Sequence, residues 1–104
     1  YVIIRGLELK NAGIHGVLIR KGVQHVVIED CRITGWGRIG GARVWGVSYG
    51  SDSAIYAESD AGNLIIQRNL IEYPRSGAND WESGHPSGPQ AISLIDSRGG
   101  NVIR

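Results

Sequence analysis

The sequence predicts an all-β solenoid of about three coils, each made of three short strands, with no α-helix. A repeat is the first observation behind this. Residues 2–9, 26–33, 64–71 and 102–104 align as aliphatic strand pairs, with starts 24, 38 and 38 residues apart. A second series, at residues 16–19, 54–57 and 91–94, runs in step with the first at spacings of 38 and 37. Composition is the third observation. Sixteen glycines, many Val and Ile, and no Phe or Met suit short strands joined by tight turns, because glycine supplies the positive φ angles that turns need. Apolar residues nowhere persist at i, i+3, i+4 and i+7, so no helical face is available to bury.

Within a unit the first strand falls near 26–29, the second near 31–33 and the third near 54–57. Side chains in a strand change sides at every residue, which puts Val26, Ile28, Cys31, Ile33, Ile55 and Ala57 on one interior face. A triplet of this kind buries that face only by stacking on its neighbours. On the outward side Ile3, Val27, Ile65 and Ile103 are expected to form an apolar stripe. Such a stripe calls for cover by remaining coils of a longer chain or by another subunit.

At 104 residues the chain is one domain at most, and its start at Tyr1 and end in an apolar run read as a segment of a longer chain. Eleven basic residues against ten acidic ones give a net charge of +1, which offers no electrostatic footprint for nucleic acid or an anionic membrane surface. No apolar stretch approaches the roughly 20 residues that span a bilayer, and no signal segment is visible. Cys31 is the single cysteine, so no disulfide framework or cysteine metal cluster is expected and the side chain reads as a small buried hydrophobe. His15 and His25 lack Cys or His partners at ligand spacing and read as turn residues.

The stretches "HVVIEDCRITG", "NLIIQRNLIEY" and "HGVLIRKG" resemble the right-handed parallel β-helix family, the fold of pectate lyases, other polysaccharide lyases and several glycoside hydrolases. The resemblance covers nearly the whole chain and implies a carbohydrate-active protein outside the cytoplasm, extracellular or periplasmic. In that family polar side chains at inward bends satisfy turn backbone groups, which is the role implied for Asn69, aligned with Leu7 and Cys31. One architecture hosts many chemistries, so activity has to be argued from a site.

The second strand ends at Leu9, Ile33 or Ile71 and the third begins near Val17, Ile55 or Ile92, leaving gaps of 8, 22 and 21 residues. Two insertions of about 14 residues, within 35–52 and 73–89, therefore fall in the same corner of consecutive coils and are expected side by side. All three tryptophans lie in them. Long loops of this kind in compact folds are usually functional or disordered, and aromatic content favours order. Flat rings flanked by carboxylates and guanidinium groups match a sugar, which has an apolar C–H face and a rim of hydroxyls.

The candidate catalytic residues are Asp52, Asp80, Glu82 and His85, and the candidate substrate-binding residues are Trp36, Arg43, Trp45, Tyr49, Tyr56, Arg75 and Trp81. Asp80 and Glu82, two apart around Trp81, suit an acid and base pair or oxygen ligands for Ca²⁺, and equally suit an ordinary solvated loop. Asp52 in "SDSAIYAES" is similar to the acidic edge of some β-helix glycoside hydrolases, although the glycine often found there is missing. Tyr56 should point outward between Leu18 and Ser93, with Glu58 on the same face. Arg43 and Arg75 could each pair with a uronate carboxylate, as a polysaccharide lyase requires. Two expectations follow. One is a glycoside hydrolase or polysaccharide lyase with its groove beside strand three and the two inserted loops, without a certain cofactor; the other is a non-catalytic glycan-binding or structural surface or adhesin β-helix.

Overall fold

The computed structural model describes residues 1–39, 52–78 and 89–104. Its strands are β1 (Val2–Arg5), β2 (Glu8–Lys10), β3 (Val17–Ile19), β4 (Gln24–Glu29), β5 (Arg32–Thr34), β6 (Ser53–Ala57), β7 (Gly62–Gln67), β8 (Leu70–Ile71), β9 (Gln90–Leu94) and β10 (Val102–Ile103). They form three parallel sheets, β1-β4-β7-β10, β2-β5-β8 and β3-β6-β9, and no helix occurs among the described residues. The chain visits the sheets in the same order three times and returns to the first with β10, an arrangement consistent with a β-solenoid. No helix of the described residues is long and apolar enough to cross a membrane.

Register turns the repeat into a core. Ile4 pairs with Ile28 and Ile28 with Ile66 in the first sheet, Leu9 with Ile33 and Ile33 with Ile71 in the second, and Val17 with Ile55 and Ile55 with Ile92 in the third. Identical or similar side chains thus stack coil on coil. Ile28, Ile33 and Ile55 are fully buried, and each is worth about 1.5–3 kcal/mol relative to exposure. Val26, Cys31 and Ala57 join them, as alternation predicts.

The bends are also stacked. Gly6, Asp30 and Arg68 occupy one corner of successive coils with φ of 67°, 53° and 53°. Asn11, Gly35 and Tyr73 occupy the next corner with 62°, 69° and 53°. Left-handed backbone turns the chain sharply between strands, and Asn, Asp and Gly tolerate it best. At the inner side of the first corner Asn69 Nδ2 donates to the Ile28 carbonyl at 2.9 Å while its Oδ1 accepts the Cys31 N–H at 3.0 Å. Gly16 is needed for space, since a Cβ there would meet the Ala54 carbonyl oxygen at 2.6 Å and Ile33 Cγ2 at 2.7 Å.

The outward stripe differs from expectation by one residue. Val102 pairs with Ile65 and Ile103 with Ile66, so the stripe runs Ile3, Val27, Ile65, Val102, and Ile103 belongs to the inner face. The cause is the second insertion, one residue shorter than the first. Strand β9 already follows β6 at a spacing of 37, and the first sheet inherits that shift, which puts Val102 rather than Ile103 at the outward position.

Candidate functional site

The corner between the second and third sheets gathers chemistry. On the outward row of the third sheet Leu18, Tyr56 and Ser93 are register neighbours, as the alternation predicts. Tyr56 is half-buried because His15, from the coil before it, stacks on its ring with centroids 4.4 Å apart and planes 14° apart. His15 is fixed in turn by the backbone. The Ser53 N–H donates to His15 Nδ1 at 3.1 Å, and the Gly16 N–H donates to the Ser53 carbonyl at 3.1 Å.

An imidazole that accepts at Nδ1 carries its proton on Nε2 when neutral. Burial holds the His15 pKa below its ordinary value and the Arg38 charge acts in the same direction, while the Asp52 carboxylate, the hydrogen bond with the Ser53 backbone and the Glu58 carboxylate oppose them. The acceptor role of Nδ1 makes His15 a neutral ring with its proton on Nε2.

Asp52 stands beside this pair but is not an open carboxylate. It is 7% exposed, its Oδ2 accepts the Arg38 N–H at 2.7 Å, and the Arg38 guanidinium reaches Oδ1 through Nη2 at 2.6 Å. Arg38 Nε lies 2.9 Å from both oxygens. The pair fastens the two ends of the first insertion together, and the Asp52 carbonyl accepts the Gln90 N–H at 2.7 Å from the next coil. Asp52 is better described as the clasp of this loop than as a carboxylate facing a sugar.

The roots of the two insertions are in contact. The Gly35 N–H donates to the Tyr73 carbonyl at 2.7 Å and the Arg75 N–H to the Trp36 carbonyl at 2.8 Å, while the Gly37 N–H ties the first root to the coil before it through the Ile14 carbonyl at 3.1 Å. Arg75 Nη1 also donates to the Gly37 carbonyl at 3.4 Å. A side chain at Gly37, with φ of 106°, would place a Cβ 2.9 Å from the Ala78 Cβ. Glycine lets the two loop bases close on each other.

Trp36 departs from the expected substrate-binding role. It is 3% exposed and belongs to the core cluster, and its indole N–H has no partner among the described residues. Glu58 serves a neighbouring turn, its Oε2 accepting the Lys21 N–H at 2.8 Å and facing Arg20 Nε at 3.2 Å. The candidates Asp80, Glu82, His85, Arg43, Trp45, Tyr49 and Trp81 lie outside the described residues. Among the described residues no group of three or more His, Cys, Asp or Glu side chains could hold a metal ion, and the Ca²⁺ expectation rests on Asp80 and Glu82.

Sequence reasoning missed His15 and Arg38 as members of this corner. The signal for His15 was its register: it sits two residues before β3, as Ser53 sits two before Ile55. No family model, curated protein or solved structure matches this chain.

Proposed function

We propose that this chain is part of a right-handed parallel β-helix of the carbohydrate-active kind, acting outside the cytoplasm, and that the outward face of its third sheet binds a glycan. The stacked pair of Tyr56 and His15 beside the joined roots of two insertions carries the reading. A tyrosine ring backed by an imidazole is a rigid, amphipathic surface of the type that accepts the C–H face of a sugar ring, with polar tips for its hydroxyls. Parallel coils set such groups about 4.8 Å apart along the axis, a direction that suits an extended chain.

Binding is the function these groups support best. With both oxygens of Asp52 engaged by Arg38, proton transfer to or from a glycosidic bond falls to the second insertion. Hydrolysis or elimination is the second reading, favoured by the contact between the insertion roots, with Asp80 and Glu82 as its carboxylates.

Affinity gel electrophoresis against a β-glucan, a xylan and polygalacturonate tests the first reading. Retardation of the protein by at least one of them, weakened by Tyr56→Ala, is expected, and unchanged retardation by Tyr56→Ala overturns it. Release of reducing ends or of an unsaturated uronate chromophore, abolished by Asp80→Asn or Glu82→Gln, would establish the second.

A further inference from the structure

We propose that His15 is a positioning and binding residue of this corner: a neutral imidazole with its proton on Nε2, which holds the Tyr56 ring flat and offers one N–H donor to a ligand oxygen. The inference rests on the glycan reading for the identity of the ligand, and on geometry alone for the state of the ring.

Two contacts define that state. Nδ1 is occupied as an acceptor by the Ser53 N–H, so a proton at Nδ1 would stand where this bond needs a lone pair. The ring faces Tyr56 at 4.4 Å, which restricts it to one plane. Nε2 is the remaining polar atom of the ring, and a neutral imidazole that has given its Nδ1 lone pair to the backbone can only donate there. The charged groups around it, Arg38, Asp52 and Glu58, are engaged: Arg38 with Asp52, and Glu58 with Arg20 and the Lys21 N–H. Burial supports the neutral form, as the lowered pKa of His15 indicates.

A donor fixed beside an aromatic ring selects oxygen acceptors that lie in the plane of a stacked sugar, namely hydroxyl and ring oxygens. It does not require a charged ligand. Protonation in acid would cost the Ser53 contact, release the ring from its plane, and so loosen Tyr56 even though an imidazolium can itself stack on a tyrosine ring.

Two measurements on the whole chain separate the parts of this inference. Long-range ¹⁵N–¹H NMR of the labelled histidines without ligand reads the tautomer: a protonated Nε2 and bare Nδ1 for His15 at about pH 7.5 are expected, and a protonated Nδ1 overturns the proposal. Affinity electrophoresis with the same β-glucan, xylan and polygalacturonate reads the donor. His15→Phe keeps a ring on Tyr56, so near-ultraviolet circular dichroism should be retained while affinity falls about tenfold, the worth of one such contact. Wild-type affinity in His15→Phe with an intact tyrosine signal overturns the donor role. If none of the three polysaccharides binds wild-type protein while the Nε2–H tautomer is observed, the glycan reading fails and the ring state stands.

Discussion

Asn69 joins two coils through both ends of one amide, accepting the Cys31 N–H at 3.0 Å and donating to the Ile28 carbonyl at 2.9 Å. Each contact satisfies a backbone group at the inner edge of a bend, where the strand ladder has been interrupted. Asn69→Leu fills similar space and strips both partners at once, leaving backbone groups unpaired at a cost of about 1–3 kcal/mol. Urea unfolding followed by far-ultraviolet circular dichroism should show the midpoint falling without a change in slope. Asn69→Asp, which keeps the acceptor and loses the donor, should fall between wild type and Asn69→Leu; a variant as stable as wild type would show that the amide is not what secures the bend.

Why this bend was legible in sequence while the neighbouring site was not follows from periodicity. Val26, Ile28, Ile33 and Ile55 alternate with polar or outward residues over runs long enough to fix both strand and face. Asn69 was visible because it interrupts an aligned apolar column. The last coil was read one residue out of register because only Val102, Ile103 and Arg104 represent it, too few to distinguish two adjacent alignments of aliphatic residues. Arg38 gave no such signal, and the register of His15 two residues before β3 aligns it with Ser53 without naming the ring it meets. Their partners, Asp52 and Tyr56, lie 14 and 41 residues away, and nothing in the local pattern around "GRIG" or "GIHGV" shows which carboxylate or ring will meet them.

The Arg38–Asp52 pair is nearly buried, with side chains 10% and 9% exposed. Breaking one half of such a pair leaves an uncompensated charge and costs about 3–5 kcal/mol. Asp52→Ala should therefore lower stability strongly as well as disturb the loop it clasps. The two roles can be told apart, because Arg38→Met combined with Asp52→Leu removes both charges and should recover much of the lost stability. If glycan processing is found, loss of turnover in Asp52→Ala with wild-type thermal stability would restore Asp52 as a direct participant. Loss of both together is the expected outcome.

Gly16 lies where the corner of one coil meets the strand of the next. An alanine methyl would sit 2.6 Å from the Ala54 carbonyl oxygen and 2.7 Å from Ile33 Cγ2, and the first of these is backbone that cannot rotate away. Overpacking of this kind typically costs about 1–3 kcal/mol. Because Gly16 adjoins His15, Gly16→Ala should also shift the near-ultraviolet signal of Tyr56. Gly13→Ala is the control, since nothing lies within 4 Å of a Cβ there, and an equal loss in both variants would contradict the packing argument.

Acid should unfold this protein in two windows, because two kinds of group bind protons less readily in the fold than in the open chain. Glu29 is held below its ordinary pKa by the Gln67 amide and by Arg5, with Arg68 adding its charge, and Asp30 is held down by Arg68. Arg5 Nε reaches Glu29 Oε1 at 2.6 Å, and Arg68 Nη2 reaches Oε2 at 3.0 Å. For a carboxylate with a lowered folded pKa the stabilisation is complete above the unfolded value of about 4 and is lost as pH falls through the folded one. His15 works at higher pH. It is neutral in the fold through burial, so the unfolded chain takes up a proton first as pH drops below about 6.5, and stability declines from there towards the folded pKa. Unfolding midpoints should thus fall modestly as pH drops below about 6.5 and again below about pH 4.5. His15→Phe should flatten the upper fall and leave the lower one in place, whereas Glu29→Gln should lower stability at neutral pH and make the lower fall shallower. An upper fall that survives in His15→Phe would assign it to some other group and remove the pH argument for a neutral His15.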